Sequence, residues 1–513
     1  MPAFGGAQDL WERGGRLALS AVVGLGRRTV TGLMTTCGHH QRDWSADYRL
    51  FERTRFDGSK LFDPVLKASV QRCVDLDQPV VAAIDDTLVR KRGRKVHGAA
   101  WRRDPQGPKF QVNLAWSQRF FQASVLWPEA AGPSRARAIP VDLRHCPTPV
   151  KPSKNAEALK HEQYQIERKK CALPQRAVEA LGELRSKVDL IAPDRRMVVS
   201  VDGGYTNRTL LSNIPPNTTV IGRVRKDAKL FAPPVESVVR RRGRPRLFGV
   251  TLPTPEDLRK DPDIVWTSVQ AFAAGRLHDF QVKVVGPVRW TPAGGRNLSL
   301  VIIRPLAYRL SASSHVNYRE PAYLLCSDPT LDIQTLLQAY VWRWEIEQNF
   351  RDQKTLLGVG HAQVRTPAST ANVPTLLVAA YASLQTALEQ TLAQGAPNNL
   401  SHQTKWNPHK TEQRVSIRQA QTLMRKELWA AAIQTNYPGF SRKAHPDTKP
   451  LLFSDSLAPA VLFASQSAKL QSTAPRSNAP CEALPGLAPA THGYFLRPLR
   501  GRTPLRGSAR TRR

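Results

Sequence analysis

The 513 residues carry 75 Lys and Arg against 41 Asp and Glu, a formal net charge of +34. Such an excess repels itself in a compact fold and calls for a polyanion partner, with nucleic acid ahead of an anionic membrane surface. The composition excludes a spanning helix, since no apolar run reaches about 18 residues; it offers no signal-peptide core in the charged N-terminus around Asp9, Glu12 and Arg13; and its six cysteines form no CxxC pair, which reads as reduced intracellular thiols in a cytoplasmic protein.

Residues 1–75 read as short helices. Leu17, Leu19, Val22, Val23 and Leu25 form one apolar patch, and Trp44, Tyr48, Leu50 and Phe51 form another. The interspersed Arg27, Arg28, Arg42, Arg49, Arg53 and Arg55 suit either a DNA-contacting domain or a helical cap on the core. Val80 to Ile84 is a short β-branched run and predicts a buried strand. It delivers Asp85, Asp86 and Thr87 at its end, where carboxylates are held rigidly, as metal ligands must be; Asp at such a point also caps turns. Arg90 to Lys95 is a basic, turn-like run. Arg92, Arg94 and Lys95 within it either reach phosphates or sit in a solvated loop.

Phe110 to Trp116 and Phe120 to Trp127 predict a hairpin turning at Ser117-Gln118-Arg119. Residues 129–172, with Pro133, Pro140, Pro147, Pro149 and Pro152, predict a long connection containing one basic helix. Ala177, Leu181, Leu184 and Val188 repeat at helical spacing. Met197 to Val201 predicts a second buried strand, ending in Asp202-Gly203-Gly204, where the glycines permit close approach by a ligand. Thr219 to Val224 predicts a further strand. Ile264 to Trp266, Phe280 to Val285, Leu298 to Ile303 and Ala322 to Leu325 are separate β-like runs. Before them, Arg242-Gly-Arg-Pro-Arg246 is similar to an AT-hook, which lays Arg242, Arg244 and Arg246 into a narrow minor groove; general phosphate contact or a solvated loop fits the same residues.

Tyr340 to Lys354 contains neither Gly nor Pro and predicts one helix. At 3.6 residues per turn, Tyr340, Arg343, Glu347 and Lys354 fall within about 60° of arc. Aromatic, cation, carboxylate and cation on one stripe suit a carboxylate that holds a metal while its neighbours hold phosphates. Further on, His361 reads as a polar loop residue. Leu376, Leu377, Ala380, Leu384 and Leu388 predict a packed helix, and Val415 to Leu428 a basic amphipathic one. The Pro-, Ser- and Arg-rich end predicts disorder.

The spacing Tyr340, two residues, Arg343, three residues, Glu347, six residues, Lys354 resembles the signature of a large group of bacterial insertion-sequence transposases of the RNase H-like DDE superfamily. The resemblance implies an α/β fold: an RNase H-like mixed sheet with flanking helices, a β-rich insertion before the Glu347 helix, and a helical N-terminal domain. The boundaries it suggests are a DNA-binding domain at 1–75, a core at 76–224 and 329–395, the insertion at 225–328, a basic helical region at 396–440 and a basic tail at 441–513. It implies Asp86, directly before Thr87 and in preference to Asp85, with Asp202 and Glu347 as catalytic ligands of two Mg²⁺ ions, Mn²⁺ substituting. Tyr340, Arg343 and Lys354 would contact DNA. The implied reaction is cleavage at insertion-sequence ends followed by strand transfer, by a homodimer acting on double-stranded terminal repeats and target DNA at the bacterial nucleoid. An inactive DNA-binding descendant and another RNase H-like nuclease are the alternatives.

Overall fold

The computed structural model describes residues 8–41, 43–53, 55–104, 107, 110–235, 246–308, 314–394 and 414–435. Four helices come first: α1 (Gln8–Val23), α2 (Val30–Thr36), α3 (Ser45–Glu52) and α4 (Asp63–Asp75). Thr29 starts α2 by accepting a hydrogen bond from the Gly32 amide at 3.0 Å, satisfying one of the donors that a helix start leaves open. Asp47 of α3 is buried and lies 3.3 Å from Arg13 and 3.2 Å from Arg16 of α1, which locks these two helices together.

The chain then enters β1 (Val80–Arg90), β2 (Ala100–Arg103), β3 (Leu114–Pro128) and β4 (Ala136–His145). Helices α5 (Ala158–Lys170) and α6 (Leu173–Ile191) lead to β5 (Met197–Val201), α7 (Arg208–Leu211) and β6 (Thr218–Arg223). β4, β3 and β1 pair antiparallel, whereas β1, β5 and β6 pair parallel. The resulting order, β4-β3-β1-β5-β6, is that of an RNase H-like mixed sheet.

The sheet does not stop there. After β7 (Leu230–Phe231) and α8 (Pro255–Lys260) come β8 (Thr267–Ala273), β9 (Arg276–Trp290), β10 (Leu298–Ile303), the small pair β11 (Ala307–Tyr308) and β12 (Asn317–Tyr318), and β13 (Ala322–Cys326). β13 pairs with β6, β10 with β13, and β9 with β10, so the segment expected as an insertion prolongs the central sheet to 11 strands. Helices α9 (Ile333–Trp342), α10 (Glu345–Thr355), α11 (Pro367–Ala393) and α12 (Ile417–Thr435) complete the described chain.

Three apolar layers hold this together. One face of the sheet, with Val80, Ala82, Ile84, Met197 and Val199, packs on α4 and α6 through Leu66, Val70, Leu181 and Val188. The other face, with Val81, Ala83, Val198 and Ile221, packs on α9 and α10 through Leu336, Leu337, Trp342 and Ile346. A third layer joins α1 to α3 and α11 to β3 and β4. Among the described residues, no helix is long and apolar enough to cross a membrane.

Three expectations need correction. No hairpin turns at 117–119: Ser117 and Gln118 are buried inside the continuous strand β3. No Gly, Pro, Asn or Asp there favours a turn, and the Gln118 side-chain nitrogen donates to the His97 carbonyl at 3.0 Å. Strand β4 lies within the stretch expected as a connection, with Ala136, Ala138, Ile139, Val141 and Leu143 in the core. Strand β8 begins just past Trp266, so Ile264 to Trp266 is loop. The tail at 441–513 lies outside the described residues, as do Arg242 and Arg244 of the AT-hook-like run; Arg246 is exposed.

Candidate active site

Strand β1 is the organising element, and its alternation decides which carboxylate faces which helix. Successive side chains of a strand point to opposite faces. Val81 and Ala83 pack toward α9 and α10, so Asp85 and Thr87 follow on that side. Ala82 and Ile84 pack toward α4 and α6, and Asp86 follows them. In β5, Ser200 pairs with Ala83 and Val201 with Ile84, so the next residue along each parallel strand is Asp85 on β1 and Asp202 after β5.

The helix that carries Glu347 is not continuous with the one that carries Tyr340. α9 ends at Trp342 and α10 starts at Glu345. Across the junction the amides of Arg343 and Trp344 bond three residues back, to Tyr340 and Val341, each at 3.3 Å. Such tightening redirects the chain, and it ends the single-helix expectation for 340–354. The break seats Arg343 between the two elements, where it is largely buried. Its guanidinium lies 3.7 Å from Asp85 and 3.9 Å from Glu347.

Electrostatics ties in the third carboxylate. Burial pushes Asp85 up to about 7; Arg343 and the Asp86 amide pull it back, while the charges of Asp86 and Asp202 raise it further. Glu347 is raised by its burial, lowered by Arg343 and raised by Asp202. Asp202, exposed at the end of β5, is therefore near enough to repel both. By strand alternation Asp202 takes the same side of the sheet as Asp85, and Arg343 bridges Asp85 and Glu347 there. Lys354 lies farther along α10, and its ammonium donates to the Thr87 hydroxyl at 2.7 Å. Burial and the Arg90 charge lower its pKa, which Asp104 partly offsets.

Asp86, the aspartate expected to be catalytic, stands on the other face. It accepts a hydrogen bond from the Tyr205 hydroxyl at 2.9 Å and pairs with Arg119 at 3.4 Å. Neither Tyr205 nor Arg119 was expected to matter, and both became visible only with the strand register. Tyr340 is partly buried against the sheet on α9. Arg92, Arg94 and Lys95 are exposed on the connection from β1 to β2.

Among the described residues, no three His, Cys, Asp or Glu side chains stand close enough together to hold an ion as they are. Arg343 offsets one of the two negative charges of Asp85 and Glu347 in this arrangement. The donor set still fits a hard divalent cation: three carboxylates, with Asp85 and Glu347 raised by burial and by the charge of Asp202, which is the charge demand a cation relieves.

The family described as DDE superfamily endonuclease matches residues 13–283. That span exceeds half of the chain. The chain belongs to this family. The match includes Asp85, Asp86 and Asp202 and stops short of the Glu347 helix. The family makes this protein a nuclease-type enzyme with DNA as its substrate. No curated protein matches the endonuclease.

Proposed function

We propose that this endonuclease is a DNA transposase, which cleaves at the ends of an insertion sequence and joins the freed 3′ ends to target DNA. The observation that carries the reading is that Arg343 joins Asp85 to Glu347 while the charge of Asp202 acts on both, with Lys354 held by Thr87 on the same face. Asp85 replaces Asp86 as the first catalytic carboxylate in this reading, because only Asp85 shares a face with Glu347.

Asp85, Asp202 and Glu347 would hold the divalent ions, Mg²⁺ first and Mn²⁺ in its place. Two such ions activate an attacking oxygen and stabilise the leaving oxygen of a phosphodiester. The chain's own residues do the rest. Arg343 keeps two like charges together before substrate arrives, then faces the phosphate. Lys354, held by Thr87, adds a fixed cation for the neighbouring phosphate. Tyr340 lies one turn before Arg343 and would contact the strand there. Water opens the strand first and leaves a 3′ hydroxyl; that hydroxyl then attacks a target phosphodiester at the same carboxylates. The enzyme would act as a homodimer on paired ends in the cytoplasm, at the nucleoid.

The test is cleavage of a duplex carrying the terminal repeats that flank the gene, in Mg²⁺. Glu347→Gln removes one charge with little change of shape, and is expected to abolish cleavage at the repeat edge while duplex binding persists. Unimpaired cleavage by that variant would sink the assignment.

A further inference from the structure

The sheet face that carries Asp85 continues toward an exposed aromatic surface. Asp85 pairs with Gln122, Thr87 with Phe120 and Val89 with Gln118. One step on, the Lys91 amide donates to the Trp116 carbonyl at 2.9 Å, and Trp116 pairs with Trp101 of β2. By alternation, Trp116 and Trp101 face the same side as Asp85 and Thr87. Six residues of strand place Trp116 roughly 20 Å from Asp85. Thr87 with Lys354, and then Arg90 paired to Asp104, lie along the way.

This surface is built rather than frayed. The two indoles meet edge to face, with centroids 5.7 Å apart. The Arg94 guanidinium lies over both, 5.3 Å from one ring and 5.7 Å from the other. The Trp116 indole N–H donates to the Gly93 carbonyl at 3.0 Å, which fixes the basic loop against the ring. The Lys91 ammonium donates to the carbonyls of Gly360 and Ala362, which ties the same loop to the segment after α10. Yet Trp101 remains 53 % exposed and Leu114 57 %. A cleft of about 600 Å³ opens beside Trp116, between Arg90, Arg92 and Leu114. That size lies within the roughly 300–1,000 Å³ of pockets for small organic rings.

Trp101 left half in water, half-buried Trp116 beside it, Arg94 over both rings and Arg92 lining the cleft match one chemistry: a π-face for a base and cations for the phosphates on either side. Paired bases already stack on their neighbours and offer no free face. We propose that Trp101 and Trp116, with Arg94, form a stacking platform for unpaired bases of the DNA strand that leaves the catalytic face. The proposal rests on the nuclease reading of that face, but its test does not need cleavage.

The experiment measures binding of the full chain, without divalent metal, to a blunt duplex and to the same duplex ending in a short unpaired thymidine run. Stacking of one base is worth roughly 5- to 150-fold in affinity. Wild type is expected to prefer the unpaired end about tenfold. Trp101→Ala should bring that ratio to within about twofold of unity, with blunt-duplex affinity little changed, whereas Trp101→Phe keeps most of it. Should Trp101→Ala fail to fold, Arg94→Ala carries the same test, with the ratio falling several-fold. Wild type that binds both probes alike, or Trp101→Ala that discriminates as wild type does, overturns the platform. So does tighter binding of single-stranded RNA than of DNA of the same sequence, or a protein dimer that Trp101→Ala dissolves in the absence of DNA. If the ratio survives but Mg²⁺-dependent cleavage is absent from wild type, the nuclease reading fails and the platform stands.

Discussion

Asp85 and Asp86 are neighbours in the chain and face different layers of the molecule. Asp86 is tied to Tyr205 and Arg119, so its charge is spoken for. Asp85 is partly buried, shares Arg343 with Glu347 and has its pKa pushed up to about 7. A carboxyl raised in the folded state favours folding below its ordinary pKa near 4 and loses that contribution as the pH climbs toward 7. Asp85→Asn is therefore expected to stabilise the metal-free protein at pH 8 by roughly 2–4 kcal/mol, with the gain fading to nothing near pH 4. Thermal melts at the two pH values check this; no gain at pH 8, or an equal gain at both, would contradict it. The sequence marked the apolar first half of β1 and its pair of acids, but placed at the strand's end two acids that lie mid-strand, since β1 runs on to Arg90 in register with β3. The resemblance favoured Asp86, and the sequence held no signal for the face each acid takes, because that depends on which side of β1 α10 covers.

At the scale of elements, α10 is set in place by a buried polar network. Gln353 donates to Gln122 at 2.8 Å, Gln122 to Ser124 at 3.0 Å, and Asn349 to the Ala138 carbonyl at 2.9 Å. Tyr381 of α11 donates to Asn349 at 3.1 Å. Gln122 is also the cross-strand partner of Asp85, so the network joins the floor of the site to the helix that carries Glu347. Gln353→Leu should leave the Gln122 carbonyl oxygen unpaired, at a cost of about 1–3 kcal/mol. Urea unfolding reads that loss, and cleavage should slow because Glu347 shifts; stability equal to wild type would show that the network is dispensable. Buried polar residues of this kind hide elements from sequence reading. Ser117, Gln118 and Arg119 interrupt the apolar pattern of β3 and suggested a turn, although Ser117 and Gln118 are buried within the strand. Strand β4 was obscured by Pro140 and its arginines in the same way. The break between α9 and α10 has no Gly or Pro to announce it. By contrast, β1, β5, β6 and β10 are short β-branched runs buried on both faces, and they were legible directly.

For the whole molecule, a net charge of +34 and membership of an endonuclease family that acts on DNA make DNA binding largely a matter of phosphate neutralisation. If about six to ten phosphates are contacted, duplex affinity should fall by roughly 10³- to 10⁵-fold between 50 and 200 mM salt. Lys354→Ala should make that dependence shallower by about one unit of slope, and an unchanged slope would remove Lys354 from the phosphate path. The central claim is that Asp85, not Asp86, completes the site with Asp202 and Glu347. The direct measurement is the rate of Mg²⁺-dependent cleavage of terminal-repeat DNA by Asp85→Asn and Asp86→Asn beside wild type. The account predicts a loss on the order of 10³-fold or more in Asp85→Asn and no more than about tenfold in Asp86→Asn. Full activity in Asp85→Asn with activity abolished in Asp86→Asn would contradict it.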